Sequence, residues 1–202
     1  PSIINRYYKM AFGVIEHMRD YTDRITQEEM LNFSLLATAA EGVTGNFAQF
    51  DNENMGKNFK ACKKGYYTNS FHVPVAMELN YKEKIDLEGR FHCLCNGGSI
   101  TYVELKEMPG SNTEAVQEII EYAYNNDCNY IGINFPMDNC CSCGFTGRII
   151  DRCPCCKSDK IRRLRRVSGY LSEEKSFTTG KRKELQQRTI HMSMDFTRKE
   201  LL

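Results

Sequence analysis

"GGSITYVEL" (97–105), "NTEAVQEIIEYAYNN" (112–126) and "YIGINF" (130–135) follow one another in this 202-residue chain. The first is rich in β-branched residues and lies between two glycines and Met108-Pro109-Gly110, which reads as a bounded strand. The second carries Ala115, Val116, Ile119, Ile120 and Ala123 at helical spacing, behind a cap at Asn112 or Thr113. The third is a short apolar strand. Strand, helix, strand over about 35 residues is a βαβ unit, and such a crossover favours parallel pairing. The expected fold class is therefore α/β.

Upstream, residues 1–20 read as an amphipathic helix, with Ile4, Tyr7, Tyr8, Ala11, Val14, Ile15 and Met18 near helical spacing. "TQEE" (26–29) fits a capping box, with Thr26 as N-cap and Glu29 three residues on. It predicts a second helix that runs to about Ala40 and stops at Glu41-Gly42. "TGNFAQFDNENMGKNFK" (44–60) is rich in glycine and asparagine and reads as irregular. "YYTNSFHVPV" (66–75) reads as a strand ended by Pro74, and "FHCLCNGG" (91–98) as a strand with Cys93 and Cys95 on one side. Downstream, "GKRKELQQRTIHM" (180–192) reads as a closing helix.

Net charge is only +1, so no global field marks the chain as a nucleic-acid binder. No run of 18 apolar residues exists to span a membrane. The start, "PSIINRYYKMAFGVIEHM", is neither a signal nor a transit peptide, and it lacks an initiator Met. This suggests the C-terminal portion of something longer.

Six of the ten cysteines fall in "CCSCGFTGRIIDRCPCC" (140–156). Without secretory features, such clustering points to metal or redox chemistry in a reducing cytoplasm rather than to a disulfide scaffold. Cys140-x-x-Cys143 and Cys153-x-x-Cys156 supply four thiolates on a short spacer, which suits a closed, structural Zn²⁺ site. Gly144 leaves room for the backbone to fold tightly around the ion. An iron–sulfur cluster and free cysteines in a loop are the alternatives, and Cys141 or Cys155 would serve in a shifted register. Cys62 and Cys128 read as packing residues.

After the cysteines comes "KSDKIRRLRRVSGYLS" (157–172). Its cations would suit phosphate contacts, which makes a zinc-ribbon nucleic-acid binder one reading and a solvated charged face another. No aromatic residue interleaves the arginines, so base stacking is unsupported.

"RVSGY" (166–170), with Leu164 ahead and Leu171 behind, resembles the signature of glycyl radical enzymes; Ser172 stands where a smaller residue is more usual. With the paired C-x-x-C knuckles just before it and "GKRKELQQRTIH" (180–191) after it, the chain resembles the anaerobic (class III) ribonucleoside-triphosphate reductase family. "FSLLATAAEG" (33–42), "YYTNSFHVPV" and "NGGSITYVEL" (96–105) carry the same resemblance.

The resemblance implies a ten-stranded α/β barrel of which this chain supplies the last part, residues 1–136, followed by zinc knuckles at 137–160 and a glycyl radical loop and C-terminal helix at 161–202. It makes Gly169 the radical position. Loss of one Cα hydrogen leaves a spin shared with the flanking amides, and the absence of a Cβ lets that centre become planar. A separate activase with S-adenosylmethionine and an iron–sulfur cluster is implied as partner, with ribonucleoside triphosphates as substrate and a homodimer as the complete enzyme. The thiyl-forming cysteine of the family lies upstream of the matched region. Glu41 becomes a carboxylate near substrate, against the plainer reading of a helix-end glutamate. Asn69, Ser70 and His72 become candidates for substrate hydroxyls or phosphates, against a satisfied core histidine and a strand-end asparagine. A stand-alone radical-carrier subunit of a split enzyme is the alternative function. No membrane and no direct nucleic-acid contact are expected.

Overall fold

A computed structural model describes residues 3–37, 40, 42–55, 60–110, 112–167 and 169–192. The βαβ unit forms as its pattern predicts. Strand β1 (Thr101–Glu104) pairs in parallel with β2 (Ile131–Asn134), Thr101 opposite Ile131 and Glu104 opposite Asn134. The crossover helix is α4 (Thr113–Asn125). Asn112 caps it, Oδ1 accepting from the Ala115 N–H at 3.1 Å. Ala115, Ile119 and Ala123 face inward, while Ile120 stays half exposed. Tyr81, Ile85, Val103, Leu105 and Cys128 complete this core.

The N-terminal region differs from the pattern. One helix, α1, runs from Ile3 to Glu29, where two were expected. Nothing between Asp20 and Thr26 breaks it. Arg19 pairs with Asp23 at 2.6 Å one turn on, and the Thr22 hydroxyl donates back to Met18 O at 2.8 Å. Thr26 caps no helix: its Oγ1 accepts from the Phe33 N–H at 3.3 Å, where the chain reverses after Met30 (φ 55°). The chain then runs extended past Gly98, bridging at Leu36.

Helix α2 (Val43–Asn54) occupies the stretch expected to be irregular. Packing overrides its poor propensity. Ala48 is buried, and Gly45 meets Gly180 so closely that a Cβ on Gly180 would lie 2.7 Å from Gly45 Cα. The strand expected at 66–75 is a series of turns. Ser70 is left-handed (φ 47°), and the Val73 N–H donates to a carboxylate, Glu88 Oε1, at 3.0 Å rather than to a neighbouring strand. Helix α3 (Tyr81–His92) replaces the start of the strand expected at 91–98. Its reciprocal capping box links Asn80 and Glu83 at 3.0 and 2.9 Å, an N-x-x-E signal legible in the sequence. Cys93 and Cys95 therefore share no strand face. Cys93 ends α3 exposed, and Cys95 is buried in the turn after it.

A second, antiparallel sheet follows the order β4–β3–β5–β6, made of β3 (Met137–Cys140), β4 (Thr146–Gly147), β5 (Ile161–Arg166) and β6 (Leu171–Glu173). Helix α5 (Thr179–Gln187) closes the fold, shorter than the expected 180–192 because the chain turns extended at Arg188 (ψ 125°). No helix among the described residues is long and apolar enough to cross a membrane.

Candidate metal centre and glycine hairpin

The two C-x-x-C knuckles are built alike. In the first, Cys140 O accepts from the Gly144 N–H at 2.9 Å, and the Cys140 N–H donates to Phe145 O at 2.8 Å. In the second, Cys153 O accepts from the Lys157 N–H at 3.0 Å, and the Cys153 N–H donates to Ser158 O at 2.9 Å. The residue four places after each leading cysteine is left-handed: Gly144 at φ 77° and Lys157 at φ 61°. Glycine adopts that backbone freely, whereas the lysine is strained there. The repeat turns two thiols of each knuckle to the same side.

Cys140, Cys143, Cys153 and Cys156 converge, their sulfurs all within 4.8 Å of one another. Two of the separations, Cys140 to Cys156 and Cys143 to Cys153, are 3.5 Å. A zinc tetrahedron with bonds of about 2.3 Å has sulfur–sulfur edges of about 3.8 Å, so the cluster suits such an ion. Cys141 and Cys155 are exposed and lie outside this cluster. The electrostatics agree. Burial pushes the Cys140 thiol up, but the backbone groups of Cys143 and Ser142 and the thiols of Cys156 and Cys153 bring it down to about 6. The Phe145 backbone favours a Cys143 thiolate, yet the thiols of Cys156, Cys153 and Cys140 push it up to about 12. Crowded sulfurs of this kind ionise together only around a cation.

The sheet joins this centre to the glycine. Asp138 on β3 is fully buried and binds β5 by two arginines: Arg165 at 2.6 Å and Arg163 at 3.4 Å. It also accepts from the Ile149 N–H at 2.8 Å. Arg166 pairs with Glu104 at the end of β1, its guanidinium 3.6 Å from the centre of the Tyr102 ring. Burial opposes a charged Glu104, and Arg166 and then Arg188 hold its carboxyl below the usual range all the same. Three of the four clustered arginines are thus spent inside the fold. Arg162 remains half exposed, on Glu173 at 2.8 Å. Much of the strip's charge is therefore engaged in intramolecular pairs rather than left to solvent.

Gly169 sits at the tip between β5 and β6. Arg166 pairs with Leu171, and the Val167 N–H closes the turn on Tyr170 O at 2.9 Å. Gly169 is exposed, and a Cβ built on it meets nothing within 4 Å. Beneath the hairpin stem lies a cavity of about 50 Å³ lined by Asn69, His72, Lys84, Arg166, Lys181 and His191, among others.

Glu41 lies outside the described residues. Asn69 braces the backbone, its Oδ1 accepting from the Ala40 N–H at 2.9 Å. His72 Nδ1 stands 3.1 Å from Glu88, a carboxylate that also takes Lys84 Nζ at 2.7 Å and the Thr101 hydroxyl at 2.9 Å. Burial alone would raise the Glu88 carboxyl, but Lys84 and His72 hold it well below the usual range. Asp138, Glu88, Glu104, Glu184 and Arg188 carry no signal in the sequence pattern. Nothing local distinguishes a carboxylate destined for a distant arginine from one on the surface.

A family model described as anaerobic ribonucleoside-triphosphate reductase matches residues 4–191. The anaerobic ribonucleoside-triphosphate reductase of Escherichia coli (strain K12) is 34% identical over 192 residues, 90% of this chain and 27% of that protein. The enzyme of the same name from Enterobacteria phage T4 is 35% identical over 185 residues, 87% of this chain and 30% of that protein. The chain thus spans little more than a quarter of the curated relatives it matches. A solved anaerobic ribonucleotide reductase superposes with a TM-score of 0.77 at 21% identity, over 93% of this chain and 29% of that one. The Thermotoga maritima enzyme in complex with dATP and CTP gives 0.70 at 20% identity, over 88% and 28%. Likeness at that identity establishes the shared fold.

Proposed function

The chain belongs to the anaerobic ribonucleoside-triphosphate reductase family, and on that premise we propose that it carries the radical glycine of such a reductase, Gly169, beside a structural zinc site of Cys140, Cys143, Cys153 and Cys156. The observation that carries this reading is the empty space around Gly169. Packing among the described residues gives no reason for glycine there, since alanine would fit. Hydrogen abstraction does give one: the Cα hydrogen is the reactant, and a Cβ would crowd the planar radical against the flanking amides over which its spin delocalises.

In this reading an activase that uses S-adenosylmethionine and an iron–sulfur cluster removes that hydrogen. The spin is stored on Gly169 and passed to a cysteine in the part of the reductase that the relatives have beyond the matched quarter. Ribonucleoside triphosphates are the substrates, and their deoxy forms the products. Glu41 serves the ribose hydroxyls as acid or base. Bound zinc supplies a closed four-thiolate crosslink with no open position for substrate. Residues 1–136 belong to a ten-stranded barrel, 137–160 form the zinc knuckles, and 161–202 carry the radical loop and C-terminal segment. The working enzyme is a homodimer in the cytoplasm of cells growing without oxygen.

Electron paramagnetic resonance after anaerobic incubation with the activase tests the reading. The parent should give a glycyl doublet that Gly169→Ala abolishes, and air should then cut the activated chain at residue 169. A doublet that survives the substitution, or none under conditions that activate a relative, would overturn it.

A further inference from the structure

We propose that Arg188 is a positioning residue for the glycine hairpin: its guanidinium clamps the stem just ahead of Gly169 and holds the end of β5 against α5. The role in catalysis rests on the radical reading above; the clamp itself does not. Arg188 Nη1 donates to Arg166 O at 2.9 Å, and Nη2 donates to Val167 O at 3.0 Å. These carbonyls lie three and two residues ahead of Gly169. Nη2 also donates to Glu184 Oε1 at 2.9 Å, and Lys181 Nζ holds the other carboxylate oxygen at 2.6 Å. The Arg188 side chain is only 7% exposed, and its Nε is buried with no hydrogen-bond partner among the described residues. The guanidinium is therefore aimed at the hairpin, with its own third face left unsatisfied.

Its mounting is firm. Glu184 projects from α5, which Thr178 caps and which Gly180 seats against Gly45. At the tip, Gly169 and Tyr170 are exposed, while Val167 in the stem is buried. Parting the stem from α5 breaks the two charge-assisted bonds from Arg188 to its carbonyls. Arginine's planar fork suits two adjacent carbonyls, which a lysine ammonium on a flexible stem does not reproduce.

Hydrogen exchange followed by mass spectrometry, on the zinc-loaded protein before any activation, reads the clamp without passing through the radical. Arg188→Ala should speed exchange in the 164–173 segment by about tenfold or more, consistent with loss of two bonds from a charged donor. Exchange in α4 and β1 and the zinc content should match the parent. Guanidinium ion at sub-denaturing concentration should refill the vacated site and slow the segment again, a rescue that general destabilisation would not give. Exchange at the parent rate in Arg188→Ala would overturn the proposal. If that variant loosens throughout, Arg188→Lys decides. It keeps the charge but not the fork, so selective acceleration of 164–173 supports the clamp and parental exchange refutes it. An activase experiment that yields no radical in the parent would remove the catalytic reading and leave this outcome standing.

Discussion

Two glycines separate the demands of packing from those of chemistry. Gly89 lies on the face of α3 against the end of α4, and a Cβ there would stand 2.1 Å from Asn126 O, a backbone atom that cannot yield cheaply. Gly89→Ala should cost about 3 kcal/mol in a urea or thermal melt, at the upper end of overpacking penalties. Gly169 has open space instead. Gly169→Ala should leave stability within about 0.5 kcal/mol of the parent while removing the glycyl doublet. A melt shifted as far as that of Gly89→Ala would mean that residue 169 serves the fold, and the chemical reason for glycine there would lapse.

At the scale of elements, the zinc knuckles and the glycine hairpin share one sheet. Strand β3 brings Cys140 at one end and Asp138 in its middle, and β5 pairs with it from Cys140–Ile161 to Met137–Leu164 before running on to the hairpin tip. Among the described residues only three buried apolar ones, Cys140, Ile149 and Cys153, form the core around the cysteines, and two of them belong to the four-cysteine cluster. In the proposed reading, with so little apolar area to order the segment, the binding free energy of a zinc ion would make up the difference. Chelation of the metal, or Cys143→Ser, should therefore release zinc and unprotect amides 137–160 while α4 and β1–β2 keep their protection. Cys141→Ser should retain the metal in full. Zinc analysis with hydrogen exchange checks both, and metal loss in Cys141→Ser would contradict the register.

Across the whole molecule, two buried histidines make stability fall on the acid side. Burial pushes His92 down to about 4, with Glu88 pulling the other way. Burial and then Lys84 push His191 down to about 4, and its Nδ1 accepts the Glu104 N–H at 2.9 Å, which protonation would break. Unfolded, both titrate near 6.5. Between about 6.5 and 4 the unfolded chain therefore binds more protons than the folded one, and stability drops as pH falls through that window. Each histidine contributes at most about 1.4 kcal/mol per pH unit there. Below it, the lowered carboxyls of Glu88 and Glu104 add to the loss in the same direction, since both are stabilising only while ionised. Urea midpoints measured from pH 7.5 to 5 should decline on the acid side; a flat profile would mean that these imidazoles are not held neutral by the fold.

What the chain declares about itself is local. The strand–helix–strand unit, the Asn112 cap, the paired C-x-x-C knuckles between residues 140 and 156, and the turn at Gly169 are all written within a few residues of where they act. The mistakes arose where distant partners decide. Helix α2 forms from a glycine- and asparagine-rich stretch because Gly45 finds Gly180, and 66–75 gives up strand pairing because Val73 finds Glu88. Arg163, Arg165 and Arg166 of β5 turn to Asp138 and Glu104, up to 62 residues away. Caps, periodicity and ligand spacing depend on neighbours along the chain. Burial of a charge or the close approach of two glycines depends on which segments meet, and that is decided only when the whole chain has folded.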